Sequence, residues 1–146
     1  FEDNLIFFSN YESHKAQNFI DNDKVCINFW WPNIEVQVRI EGTISKCEEK
    51  FSDEHFQGRK PEKNVAALVS EQSKKIESYN LLKQKYEAMK ERIENGDYSH
   101  SRPDNWGGYQ IKVHFFEFWE ANDDRLNYRE CYEKENESWS KYFLQS

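Results

Sequence analysis

Two arginines, Arg125 and Arg129, lie four residues apart just past the aromatic stretch Glu117-Phe118-Trp119. Guanidinium groups can grip a phosphate or another anion through forked hydrogen bonds, and no apolar period assigns these two to a core. Gln37 is a second candidate, because it shares the odd-numbered face of an alternating segment with Arg39. Taken alone, that face reads as solvated. Lys15 is a third: it sits near a predicted helix start, where its charge opposes the helix dipole, and a bound anion would give it a purpose.

The elements that must hold these groups follow from the hydrophobic pattern. Leu5-Ile6-Phe7-Phe8 predicts a strand running into a turn at Ser9-Asn10. Ser13 is expected to cap a helix over His14 to Ile20. Val25 to Trp31 reads as a buried strand halted at Pro32-Asn33. Ile34, Val36, Val38 and Ile40 alternate with polar residues, the period of a strand with one buried face. Gly42 is expected to interrupt that strand, which resumes through Ile44.

Helices are predicted over Glu48 to Gln57, over Pro61 to Val69 with Pro in the first turn, and from Ser78 to a stop at Asn95-Gly96. The last carries the stripe Leu82, Tyr86, Met89 and Ile93. Asp97 to Asn105 reads as a polar loop. Beyond it Tyr109, Ile111, Val113 and Phe115 alternate, and Phe116 and Phe118 take the opposite phase, which predicts a β-bulge. Two last strands are expected near Tyr128 to Tyr132 and Trp139 to Leu144, joined by a charged turn at Glu133 to Glu137. The sum is one mainly β domain over residues 1–146, an antiparallel barrel with helical insertions.

Composition narrows the function. Aromatic residues reach 16%, enough to fill a core although apolar residues total only 37%. The formal charge of −7 argues against nucleic acid or an anionic membrane as partner, and no apolar run approaches the ~20 residues of a membrane helix. Cys26, Cys47 and Cys131 form no CxxC pair, so they read as reduced thiols of an intracellular, cytoplasmic protein. His14, His55, His100 and His114 are scattered, and no metal site is expected. The chain opens on Phe1, which predicts residues upstream of it.

The segments Trp106-Gly107-Gly108-Tyr109, Glu117-Phe118-Trp119 and Arg125-Leu126-Asn127-Tyr128-Arg129 resemble, in order and spacing, the carboxyl-terminal part of the pyridoxamine 5′-phosphate oxidases. That family's signature reads W-G-G-[YF], E-F-W, R-L-H-x-R, and Asn127 stands where it has His. Gln37-Val38-Arg39-Ile40-Glu41-Gly42 is similar to the family's Q-V-R-[VI]-E-G. Ser9 to Lys15 is similar to its T-N-x-x-S-R-K turn, with Ser9 for Thr and His14 for Arg. Gln72-Ser73 matches its Q-S pair. His55-Phe56-Gln57-Gly58-Arg59-Lys60-Pro61 is similar to Y-F-x-x-R-P, with His55 for Tyr and Lys63 for a Ser four residues past the Arg. The likeness runs from Asn4 to Ser146.

The resemblance implies an FMN-binding split barrel that forms a homodimer with FMN at the interface. It implies that pyridoxamine or pyridoxine 5′-phosphate is oxidised to pyridoxal 5′-phosphate, with oxygen reduced to hydrogen peroxide. By the same likeness Ser9, His14, Lys15, Gln37, Gln72, Ser73, Trp106 and Arg129 would hold FMN. His55, Arg59, Lys63, Arg125 and Asn127 would hold the substrate, Arg125 over the reacting carbon. Family members also carry an upstream R-x-x-L-L-K segment, and this chain begins just after it. The replacements at positions 14, 55, 63 and 127 set two rivals beside this reading: a catalytically silent homologue acting as a binding or scaffold subunit, and a flavoenzyme of the same fold with another phosphorylated substrate.

Overall fold

The computed structural model describes residues 4–98 and 101–146. Along the chain come β1 (Asn4–Asn10), α1 (His14–Asp21), β2 (Lys24–Trp31), β3 (Val36–Lys46), α2 (Glu49–Gly58), α3 (Pro61–Val69), α4 (Tyr79–Glu94), β4 (Trp106–Glu120), β5 (Tyr128–Glu135) and β6 (Ser138–Phe143). The strands form one sheet in the order β2-β3-β4-β5-β6, with β1 also pairing on β4. The β2–β3, β4–β5 and β5–β6 ladders are antiparallel. The chain is therefore mainly antiparallel β with helices, as its pattern predicts.

The residues group into two compact units. One comprises residues 4–5, Asn22–Ser45 and Ile111–Ser146; the other comprises Ile6–Asp21 and Lys46–Gln110. In the first, Val36, Val38, Ile40 and Ile44 bury one face of β3, while Ile111, Val113 and Phe115 bury one face of β4. Ile34 does not belong to β3: it lies in the preceding turn and is 61% exposed. Gly42 does not interrupt the strand either. A Cβ at this position would lie 2.5 Å from Ile111 Cγ2 and 2.7 Å from the Lys112 carbonyl oxygen, so glycine is what lets β4 approach. Gly42→Ala is expected to cost about 1–3 kcal/mol through overpacking, seen as a lower denaturant midpoint with unchanged slope.

Against β5, the strand β4 shows no bulge. The ladder to β5 runs without a break from Phe115↔Glu133 to Glu120↔Tyr128. The buried phase of Tyr109, Ile111, Val113 and Phe115 simply continues into Glu117. Phe116 and Phe118 belong to the opposite face, and the apparent change of phase arose because the inward residue at position 117 is a carboxylate. The other correction concerns β2, whose apolar sequence reads as buried. Phe29, Trp30 and Trp31 are 45%, 54% and 45% exposed.

In the second unit Phe56, Val65, Trp106 and Tyr109 are buried, and Tyr109 meets Phe7 and Phe19, each at 5.4 Å between ring centroids. The α3 boundaries match the prediction, and Ser78 caps α4 by accepting a hydrogen bond from the Leu81 N–H at 3.1 Å. Gly96, at φ 78°, closes that helix in the left-handed conformation. Ser13 does not cap α1 with its side chain: its hydroxyl is buried without a partner, and Asn10 Oδ1 instead takes the Glu12 N–H at 2.7 Å. Of the predicted loop Asp97 to Asn105, Ser99 and His100 lie outside the described residues.

Candidate functional site

Strand alternation delivers Glu117 to an inward position, where it is 4% exposed. A bare carboxylate there would be costly. Arg39 Nε donates to one of its oxygens at 2.8 Å, and Arg129 Nε donates to the other at 2.6 Å. Burial alone would raise the Glu117 pKa, but the hydrogen bonds and charges of Arg129 and Arg39 outweigh it and hold the carboxyl below its ordinary value. Both arginines are tethered further. Arg39 pairs with Glu41 and lies 4.9 Å from the centroid of the Phe115 ring; Arg129 donates to the Gln145 carbonyl at 3.0 Å. The shared Glu117 carboxylate thus holds both guanidiniums in a fixed place.

That triad forms part of a pocket of about 250 Å³, lined also by Gln37, Trp119, Asn127 and Ser146. Three residues singled out in the sequence, Gln37, Asn127 and Arg129, thus converge. Gln37 donates to Asn28 Oδ1 at 3.4 Å, which leaves its amide oxygen as an acceptor. Asn127 Oδ1 accepts the Asn122 N–H at 3.2 Å, which leaves its NH₂ to donate. Arg125 is not among the pocket-lining residues. It is exposed in the turn between β4 and β5, with its backbone in the left-handed region at φ 63° and its N–H bonded to the Asn122 carbonyl at 3.0 Å. A long side chain in that conformation is strained, and such strain concentrates at functional positions.

The sequence reading does not single out Glu117, Trp119 or Ser146. The available signal was the position of Glu117 itself, in phase with four buried apolar residues.

In the second unit, Ser9 Oγ donates to Gln72 Oε1 at 2.9 Å, and the Asn10 N–H reaches the same oxygen at 3.3 Å. With its oxygen held in this way, Gln72 has its NH₂ left to donate elsewhere. Gln72 and Ser73 line a cleft of about 240 Å³ with Lys74, Lys75 and Lys85. Ser73 holds a left-handed backbone at φ 74°. His14 and Lys15 are exposed at the first turn of α1.

An aromatic stack occupies the predicted substrate-phosphate segment. The His55 ring lies 3.5 Å from Phe8 at 7°, and Phe8 lies 5.3 Å from Trp106 at 16°. Arg59 covers Trp106 at 4.5 Å, a cation–π contact. Its Nη2 donates to the Lys63 carbonyl at 3.2 Å, while its buried Nη1 has no acceptor. Burial, reinforced by the neighbouring Arg59 charge, lowers the His55 pKa, so the imidazole is neutral at pH 7. An unsatisfied buried N–H on a guanidinium is the donor that an anion would complete. Among the described residues there is no cluster of metal-ligating side chains, and no helix is long and apolar enough to cross a membrane.

Comparison with known proteins adds the following. A family model described as pyridoxamine 5′-phosphate oxidase matches residues 1–92. A second, described as the pyridoxine 5′-phosphate oxidase C-terminal dimerisation region, matches residues 106–146. The pyridoxine/pyridoxamine 5′-phosphate oxidase of Colwellia psychrerythraea is 35% identical over 143 residues, covering 98% of this chain and 65% of that protein. Pyridoxine/pyridoxamine 5′-phosphate oxidase 2 of Hydrogenovibrio crunogenus is 38% identical, covering 98% and 66%. The chain thus spans about two-thirds of the length of these curated relatives. Among solved structures, PhzG from Burkholderia lata 383, crystallised with tetrahydrophenazine-1-carboxylic acid, superposes with a TM-score of 0.84 at 25% identity, covering 99% of this chain and 69% of that one. A pyridoxamine 5′-phosphate oxidase-related, FMN binding protein from Nostoc punctiforme superposes with a TM-score of 0.72 at 13% identity, covering 98% and 72%, a likeness of fold alone. The fold is the split barrel that these neighbours share.

Proposed function

Because the chain belongs to the pyridoxamine 5′-phosphate oxidase family, we propose that it takes part in the FMN-dependent oxidation of pyridoxamine or pyridoxine 5′-phosphate to pyridoxal 5′-phosphate, as a cytoplasmic homodimer. The observation that carries this reading is the pocket in which Gln37, Asn127 and Arg129 meet around the Glu117 clamp. When bound, FMN supplies the redox chemistry, accepting the hydride lost from C4′ and passing the electron pair to oxygen, which leaves as hydrogen peroxide.

The chain's own residues hold and orient. Lys15, with His14, Ser9, Gln72 and Ser73, meets the FMN phosphate; the NH₂ of Gln72 and the charge of Lys15 suit an anion. Gln37 and Arg129 contact the rest of FMN, Gln37 accepting through its amide oxygen and Arg129 donating from a side chain that Glu117 holds still. Trp119, which lines the pocket with Gln37 and Arg129, flanks the cofactor, whereas Trp106 is buried between Phe8 and Arg59. Arg59, with Lys63 and His55, takes the substrate phosphate, which would satisfy the orphaned Nη1. Arg125 and Asn127 orient the reacting end, and orientation is the larger part of what a protein adds to such a step.

Three measurements test this reading. Purified protein titrated with FMN is expected to quench flavin fluorescence, and the loaded protein is expected to release peroxide with pyridoxamine 5′-phosphate but not with unphosphorylated pyridoxamine. Failure to bind FMN would instead support the scaffold reading. Lys15→Ala is expected to weaken FMN binding by about 10- to 100-fold, the worth of one charge-assisted hydrogen bond, with substrate KM unchanged. His14→Arg is expected to tighten it by about tenfold for the same reason. A second reading, another phosphorylated substrate on the same cofactor, is favoured by His55, whose ring is stacked flat on Phe8. Peroxide release with a different phosphorylated amine or alcohol would select it.

A further inference from the structure

We infer that Trp30 is a further binding residue for the cofactor, an indole that lies against the flavin ring at the border of the pocket holding Gln37 and Arg129. The inference rests on the FMN reading proposed above and adds to it one residue of β2. The register of the sheet supplies the first observation. Trp30 is paired with Gln37 and Asn28 with Arg39, whereas Trp31 and Phe29 are paired with the buried Val36 and Val38. Residues opposite one another in an antiparallel ladder share a face, with Cβ atoms about 5 Å apart. Trp30 therefore stands on the polar side of the sheet, beside Gln37 and Arg39, and Trp31 and Phe29 stand on the other.

On that side the indole has polar neighbours. Gln37 donates to Asn28 Oδ1 at 3.4 Å, and Arg39 is engaged by Glu117 and Glu41. Trp30 itself is 54% exposed, on the strand that ends the sheet. A large aromatic surface is thus held open next to a set of hydrogen-bonding groups. A flat heteroaromatic ligand needs that combination: aromatic planes against its faces, and donors and acceptors along its edge.

The edge groups are in place. Gln37 keeps its amide oxygen to accept, Asn127 keeps its NH₂ to donate, and Arg129 is fixed by Glu117. Trp119 offers one aromatic plane from within the pocket; Trp30 borders the pocket without lining it and offers a second. Strands β2 and β4 flank β3, and neighbouring strands lie about 4.8 Å apart, so roughly 10 Å separates the strands that carry the two tryptophans. A ring seated over Gln37 between them would lie about 5 Å from each, within the ~4.5–7 Å of aromatic contacts. Gln37 and Arg129 are cofactor contacts in the proposed reading, so the ring is that of the flavin and not of the substrate.

Titration of the whole chain with FMN, followed by flavin fluorescence, tests the assignment. Trp30→Thr keeps a strand-favouring residue at this exposed position and should weaken FMN binding by about 3- to 10-fold. At saturating FMN the same variant should leave the bound flavin more fluorescent, because an indole in contact with the ring quenches its emission. Trp30→Phe keeps an aromatic plane but no indole, so it should hold FMN within about twofold while emission still rises. That variant decides alone if Trp30→Thr fails to fold. Unchanged affinity and emission would overturn the contact and leave FMN binding standing. A loss of affinity with emission unchanged would overturn it too, since the indole would then act through the fold. An unaltered chain that leaves FMN fluorescence unchanged would overturn the flavin reading itself, and the role of Trp30 with it.

Discussion

Arg125→Gly is expected to lower kcat/KM for pyridoxamine 5′-phosphate by about 100- to 1,000-fold, the scale of losing one group that orients or stabilises the reacting centre, while FMN retention stays nearly intact. The same substitution is expected to stabilise the protein. Arg125 holds φ 63°, a conformation that costs a residue with a Cβ roughly 1 kcal/mol and glycine little. Relief of that strain corresponds to a rise in Tm of about 2–4 °C for a chain of this size. A gain in stability coupled to a loss of turnover would identify the turn as a place where fold quality yields to function. Arg125→Ala, which keeps the strain, should lose turnover without the gain in Tm. Equal losses of turnover and of flavin retention in either variant would contradict the role assigned to Arg125.

The second large effect concerns Glu117→Ala. Removing the carboxylate strands Arg39 and Arg129 beside a polar pocket and breaks two charge-assisted hydrogen bonds of 2.8 and 2.6 Å. Each contributes about 1.5–3 kcal/mol when well formed, and both arginines retain some access to water that recovers part of the loss. A net cost of about 3 kcal/mol is expected, a fall in Tm of roughly 6–12 °C. Thermal melts followed by circular dichroism would measure it. FMN affinity should fall as well, because Arg129 loses the partner that orients it.

The pH dependence has a definite sign. The folded-state pKa of Glu117 lies below its ordinary 4.5, since Arg129 and Arg39 overcome the burial that opposes its charge. The stabilisation is therefore complete above 4.5 and is lost as pH falls through the depressed folded value. Glu117→Gln should show a shallower acid limb in stability against pH. An acid limb unchanged from that of the unaltered chain would show that the clamp contributes little.

Several elements could be read from local pattern. Proline at the first turn of α3, Ser78 before α4 and Asn95-Gly96 after it are punctuation whose physics lies within a few residues, and the structure agrees with each. The even-numbered face of β3 was equally clear, because period two is a property of the strand alone. The pattern misled where the deciding neighbour was distant. The phase of β4 seemed to shift at Phe116 because an inward carboxylate looks like an outward residue until its partners are known. β2 looked buried because composition reports that a strand needs cover, and not where that cover comes from.

Order and spacing along the chain were enough to establish the family and the run of strands and helices, because a motif's spacing and a strand's period are carried by consecutive residues. Convergence was a different matter. Arg39 and Glu117 lie 78 positions apart, and only the pairing of β3 beside β4 in the sheet brings them within a hydrogen bond. The same holds for the unsatisfied Arg59 N–H over Trp106 and for the strained turn at Arg125, since burial and backbone dihedrals arise only when separate segments are packed together.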